Sequence, residues 1–311
     1  MLETILQVLT AGLTLGCLLG LMCMGLSMIF GVMRIINFAQ GDFLMIGAYT
    51  ALFVTTLVLG RSAFGPATPF VATLMITPLM LVVGYGIYRV FLADLTERPG
   101  MSDDVRHSAQ LMITLGLSLI LQNGGLMLLG TEPQAVYTRW SSQAWIVELS
   151  GGDILWFFNK ARTVSALIAL AIVAIVLVIM NRTTLGRAVR AAADDPQAAR
   201  YCGISIRTVY CIVFALGTLV TALAGSMMAS FYPFQPFIGG EFVLIMYAGV
   251  VLGGMGSLGG AFWGGLIMGS LQQLSTLVLP QQLQNATIFV VFLLLLILRP
   301  NGIFGRNTER A

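Results

Sequence analysis

The chain has 311 residues, 58% of them hydrophobic and 9% charged, with a formal net charge of +3 and a mean hydropathy of +0.91. Soluble domains carry roughly 25% charged residues, so a soluble protein is excluded and lipid is the natural solvent. No stretch is long and polar enough for a separate soluble domain, and residues 1–311 read as one all-α transmembrane domain, a polytopic helical bundle.

The chain opens on "MLETILQVLT", which carries Glu3 where a secretory signal would carry a basic n-region, so the first span is expected to stay in the mature protein. A crossing helix needs about 20 mostly apolar residues. The predicted spans are 8–32, 41–60, 69–92, 110–130, 163–181, 209–231, 241–260 and 261–280, with a shorter one at 284–298. That makes eight or nine crossings, according to whether 241–280 splits. The stretch up to residue 40 is open to a break.

Polar residues inside apolar runs are the first candidates for function. Asn37 and Gln40 would be costly against lipid, so they are placed inward, with Asp42 beside them. Gln122 and Asn123 in a later span, and Gln272 with Gln273 in another, are expected to face inward as well. Gly41-Asp42-Phe43 and Gly240-Glu241-Phe242 share a pattern, each opening a span. The span order gives these two segments opposite directions, as an inverted repeat would, and such repeats hold substrate near the midplane. A simpler reading makes both acids helix-terminal caps. Asn37, Gln40, Asp42, Gln122, Asn123, Glu241 and Gln272 are therefore the candidate pathway residues.

Residues 131–162 hold three tryptophans and other aromatics, an expected interfacial belt or a short helix on the membrane surface. Next comes "TTLGRAVRAAADDPQAARYCGISIR", 183–207, the most polar passage in the second half. Asp194 and Asp195 are natural N-caps, Pro196 suits a first helical turn, and Gly203 supplies a stop. A helix of roughly two turns is expected, flanked by Arg187, Arg190, Arg200 and Arg207. Such a helix is marginal alone. It is completed either in a groove of another protein or on anionic headgroups.

Taking this insert as cytoplasmic, alternation puts Arg34, Arg89, Arg98, Arg106, Arg182, Arg187, Arg190, Arg200, Arg207, Arg299, Arg306 and Arg310 on one side. Only Arg61, Arg139, Lys160 and Arg162 fall opposite. The positive-inside rule then places the N-terminus outside and the C-terminus in the cytoplasm.

Residues 253–265 contain seven glycines. Gly256/Gly260 and Gly260/Gly264 have the spacing that lets helix backbones touch; a moving hinge is the alternative. The chain's single lysine, Lys160, has no glycine-rich loop before it, so nucleotide phosphates have no cradle. One histidine, His107, leaves no metal site or Ser–His relay. Cys17, Cys23, Cys202 and Cys211 read as small buried hydrophobes. No enzyme activity, metal, bound cofactor or nucleic-acid partner is expected.

Three stretches carry a resemblance. Gln197-Ala198-Ala199-x-x-x-Gly203 is similar to the coupling-helix signature Glu-Ala-Ala-x-x-x-Gly of ABC importer permeases, with Gln for Glu. "LGRAVRAAADDPQAARYCGI", "INFAQGDFLMIGAY" (the family usually has His where Gln40 stands) and "VVLGGMGSLGGAFWGG" together resemble the permease subunits of branched-chain amino acid importers, the LivH-like family. The resemblance implies half of a translocation channel in a bacterial inner membrane. It also implies a second permease subunit, cytoplasmic ATPase subunits that hydrolyse ATP, and a periplasmic substrate-binding protein. Asp194, Asp195, Pro196, Gln197, Ala198, Ala199, Arg200 and Gly203 would form the coupling element. Related permeases serve urea, short amides and small carboxylates. A secondary transporter or channel for a small neutral solute, and an accessory membrane scaffold, are the other classes.

Overall fold

The computed structural model describes residues 2–58, 64–96, 101–149, 154–280, 283–299 and 302–303. In chain order come α1 (Leu2–Met33), α2 (Gln40–Phe53), α3 (Thr68–Ile87), α4 (Ala93–Thr96) and α5 (Asp103–Leu129). A short α6 (Arg139–Ser142) leads into an antiparallel hairpin of β1 (Ala144–Leu149) and β2 (Ile154–Asn159). Then follow α7 (Lys160–Arg182), α8 (Thr184–Asp194), α9 (Pro196–Tyr201) and α10 (Ile206–Met228). The bundle closes with α11 (Ile238–Gly253), α12 (Leu258–Ser275) and α13 (Gln284–Leu298). π-helical turns at Val54–Val58 and Tyr88–Leu92 extend α2 and α3.

Among the described residues, α1, the α3–α4 stretch, α5, α7 and α10 are long and apolar enough to cross a membrane, and α11 and α13 are shorter apolar helices. The chain is a multi-pass membrane protein. The 241–280 region divides into α11 and α12 at Gly254–Ser257, which selects the nine-segment reading. Arg61, Arg98, Arg306 and Arg310, which enter the orientation argument, lie outside the described residues.

Lipid removes the hydrophobic drive between helices, so close van der Waals packing has to hold them together. Glycine supplies it. α1, about 48 Å long at 1.5 Å per residue, runs antiparallel to α12, with Gly12 on Ser270, Gly16 on Leu266 and Gly20 on Phe262. A Cβ at Gly265 would come within 2.6 Å of Gly20 Cα, and one at Gly253 within 2.1 Å of the Gly260 carbonyl oxygen. Gly260 and Gly264 thus sit in the seam between α12 and α11.

α1 and α10 form the buried centre, while α3, α5 and α7 turn most of their surface outward. Gly25 meets Thr221 and Ile29 meets Gly217, so rising numbers on α1 match falling numbers on α10 and the pair is antiparallel. Each central helix is followed by a break and a shorter helix. Arg34, with φ 55 and its N–H bonded to the Phe30 carbonyl, ends α1 in a left-handed turn. Residues 34–39 then lead back into the bundle, and α2 begins against the middle of α10. After α10, residues 229–237 return likewise and α11 begins beside α2: a Cβ at Gly41 would lie 2.0 Å from the Gly239 carbonyl oxygen. Two antiparallel long helices, each followed by a helix that starts partway through the bundle, make the arrangement of an inverted repeat.

The aromatic passage forms a four-residue helix, α6, and then a pair of antiparallel strands that was not expected. Trp145 pairs with Phe158, Ile146 with Phe157 and Val147 with Trp156. β-branched and aromatic residues suit a pleated, half-buried ribbon. Cys202 also departs from expectation: it is exposed, because it caps α9 on the surface, whereas Cys17, Cys23 and Cys211 are buried.

Candidate functional site

The break before α2 carries a buried polar network. Asn37, Gln40 and Asp42 are 0%, 0% and 1% exposed. Asn37 Oδ1 accepts from the Ala39 N–H at 3.1 Å, and its Nδ2 donates to Gln40 Oε1 at 3.0 Å. Gln40 Nε2 donates to the Gly217 carbonyl at 3.1 Å and to Thr221 Oγ1 at 2.6 Å. The side chains therefore replace the backbone partners that the break gives up, as buried non-helical chain requires.

Asp42 does not act as the cap that its position suggests. Its Oδ1 accepts from Gln122 Nε2 at 2.9 Å, across to α5. A Cβ on Gly239 would lie 2.5 Å from that Oδ1. The carboxylate thus sits in the first turn of α2 and against the first turn of α11, where two helix dipoles point their positive ends.

α5 contributes a polar ladder that the sequence reading reached only in part. Gln110, Thr114, Ser118 and Gln122 recur every fourth residue and share one face. Gln110 Nε2 donates to Thr96 Oγ1 at 3.2 Å, Thr114 Oγ1 to the Ile36 carbonyl at 3.3 Å, and Gln122 Nε2 to Ser118 Oγ at 3.0 Å. The four-residue spacing was the available signal, hidden because three of the four residues are individually unremarkable.

The other candidates separate from this network. Asn123 is exposed and donates to the Leu119 carbonyl of its own helix. Gln272 lies towards the far end of α12 and donates to Asn285 Oδ1 of α13 at 3.1 Å. Glu241 is exposed in the first turn of α11, whose N-cap is Phe237.

The second region is the polar insert. It contains two helices rather than one. Thr183 caps α8 by accepting the Gly186 N–H at 3.2 Å, and Gly186, Val189 and Ala192 form its buried face. The Arg190 guanidinium donates to the Met180 carbonyl at the end of α7, which fixes α8 against the span. Asp194 is the last residue of α8, so only Asp195 is the N-cap of α9; its Oδ1 accepts from Gln197 N at 2.8 Å and Ala198 N at 3.1 Å. At the other end Gly203 has φ 82, and the bonds Gly203 N–H to Arg200 O and Ile204 N–H to Ala199 O make a Schellman closure.

α9 is thus fixed at both ends, yet it buries only Ala199. Pro196, Gln197, Ala198, Arg200 and Tyr201 face outward, Tyr201 at 90% exposure. Sequence reasoning passed over Tyr201. The salt bridge from Arg207 to Asp94, 2.8 Å, brings the end of α4 to the same end of the bundle.

A bundle of crossing helices with two of them beginning inside it, a buried polar junction and a capped helix presented outward define a membrane transport protein. The family described as the permease component of the branched-chain amino acid transport system matches residues 8–298. The chain belongs to this family. It is 32% identical over 307 residues to the high-affinity branched-chain amino acid transport system permease protein LivH of Salmonella typhimurium, covering 97% of this chain and 96% of the relative. It is 28% identical over 306 residues to the permease protein BraD of Pseudomonas aeruginosa, covering 97% and 96%. A fructose import permease protein, FrcC of Rhizobium meliloti, is 29% identical over 134 residues, 39% of this chain and 37% of its own. No solved structure matches.

Proposed function

We propose that this chain forms half of the membrane pathway of an ABC importer for branched-chain amino acids, in a bacterial inner membrane. Residues 1–311 act as one permease domain with no covalent chemistry and no bound cofactor. ATP is hydrolysed by separate cytoplasmic subunits, a second permease subunit completes the pathway, and a periplasmic binding protein delivers solute. The arginine-rich end, with Arg34, Arg187, Arg190, Arg200 and Arg207, is cytoplasmic, and the N-terminus is outside.

One observation carries the mechanical part. α9 is capped at both ends and still presents nearly all of its side chains outward. A helix of six residues has no stability of its own in water, so a conformation this fully specified suits a rigid knob seated in a groove of the ATPase. Asp194 to Gly203 then move as a unit with α8, and α8 is tied to α7 through Arg190 and Met180. Force applied at α9 reaches a full crossing helix within two contacts.

The pathway is assigned to the face where α2 and α11 begin. An ionised side chain facing the bilayer centre costs roughly 3 kcal/mol or more, so the exposed Glu241 beside the α2–α11 junction belongs on a watered surface. Asn37, Gln40, Asp42 and Gln122 lie behind it and tie the start of α2 to α10 and α5.

The test is reconstitution of the four components in proteoliposomes with ATP inside and labelled leucine outside. ATP-dependent uptake is expected, and it should disappear when the ATPase subunits are left out. Leucine uptake by this chain without the ATPase would overturn the reading.

A further inference from the structure

The first turn of α7 is charged against its own dipole. A helix N-terminus carries about half a positive elementary charge and favours acids. α7 instead opens on Lys160 and Arg162, with no acid in its first turn. The turn borders a cavity of about 290 Å³ between α1, the β1–β2 hairpin and α7.

The cavity's polar wall comes from Gln7, Thr10 and Thr14 of α1 and from Asn159, Arg162 and Thr163. Most of these groups are already committed. The Thr10 and Thr14 hydroxyls donate to carbonyls of their own helix, and that of Thr163 donates to the Asn159 carbonyl. Asn159 caps α7 through Oδ1 and donates from Nδ2 to the Ser141 carbonyl. The Arg162 guanidinium lies 5.2 Å over the Phe231 ring. Among the described residues no carboxylate lines this cavity or pairs with Arg162. Lys160 points away, its ammonium donating to Gln143 Oε1 at 3.1 Å and lying over the Trp145 ring. The Arg162 guanidinium beside the start of α7, with no carboxylate among the described lining residues, therefore makes the positive site.

We propose that this cavity binds a phosphate-class oxyanion, supplied by the headgroup of a phospholipid. Arginine's planar fork matches phosphate oxygens two at a time. The cavity lies at the end of two crossing helices, under a hairpin whose Trp145, Ile146, Val147 and Phe157 are exposed. Tryptophan and neighbouring aromatics gather at headgroup depth, which favours lipid over a freely dissolved anion. The volume suits a glycerophosphate group, with acyl chains left outside along α1 and α7. The site is at the opposite end of the bundle from α9 and does not depend on which solute is carried.

Native mass spectrometry on the full chain in detergent, titrated with phosphatidylglycerol, tests this. One tightly retained lipid is expected, held at least tenfold more weakly by Arg162→Gln and by an intermediate amount by Arg162→Lys, which keeps the charge and loses the two-pronged fork. Arg139→Gln, at an exposed arginine of the same end, should not alter binding. Diacylglycerol, which lacks the phosphate, should not be retained by the wild type. Equal retention of both lipids, or unaltered binding in Arg162→Gln, would overturn the proposal. Displacement of the lipid by millimolar inorganic phosphate would overturn the lipid source. If Arg162→Gln does not fold, the comparison of the two lipids on the wild-type chain still decides.

Discussion

Gly41→Leu is expected to lower leucine uptake by the reconstituted importer at least a hundredfold, with the amount of chain in the membrane unchanged. The reason is geometric. A Cβ at this position would lie 2.0 Å from the Gly239 carbonyl oxygen and 2.7 Å from its carbon, and both are backbone atoms that cannot rotate away. Overpacking in cores typically costs 1–3 kcal/mol when side chains can adjust. Here two half-helices have to separate, and their separation pulls Asp42 from Gln122 and Gln40 from Thr221. Gly240→Ala is the matched control, because a Cβ there meets nothing within 4 Å. It should transport at close to the wild-type rate. Uptake assays scaled to immunoblots of the membrane fraction give the comparison, and a Gly41→Leu chain that transports normally would show that the junction is loose.

The second large effect is expected at α9. Gly203 has φ 82 and open space around it, so Gly203→Val meets no steric neighbour and the whole penalty is conformational. A left-handed residue with a side chain costs roughly 1–2 kcal/mol, more when β-branched, and the Schellman bonds to Arg200 and Ala199 are lost with it. For a six-residue helix that is enough to melt it. Ala198→Asp leaves the helix intact and puts a carboxylate on the outward face. Both changes should cut solute-stimulated ATP hydrolysis at least tenfold, leaving insertion into the membrane normal. If both variants hydrolyse ATP and transport as the wild type does, α9 is not the point of coupling.

How much of this was legible depends on whether the signal was local. Spans are set by hydropathy over about 20 residues, so α1, α3, α5, α7 and α10 follow from composition alone. Caps are local as well: Asp195, Pro196 and Gly203 gave α9 its bounds to within a residue. Two adjacent aspartates can supply only one N-cap, and α8 before it absorbed Asp194. α8 itself was hidden because Leu185, Val189 and Ala192 are too few apolar residues to stand out beside the spans.

The depth at which α2 and α11 begin was not legible. Their residues are as apolar as those of a full crossing helix, and the place where each starts is fixed by contacts distant in sequence: Gly41 with Gly239, Gln40 with Thr221. The repeated Gly-acid-Phe pattern marked both starts without saying that they meet. It also treated the two acids as equivalent, whereas Asp42 is buried and bonded to α5 and Glu241 is exposed. The hairpin was missed because Trp145–Leu149 alternates too briefly to be told from an aromatic belt.

Photo-cross-linking from α9 in intact cells tests the central claim most directly. With a benzophenone amino acid at Gln197, whose side chain faces outward from a fixed helix, the account predicts one dominant adduct, to the ATPase subunit. The adduct should weaken when Gly203→Val is combined with it. Label recovered only on phospholipid, with no ATPase adduct in a transporting complex, would contradict the account.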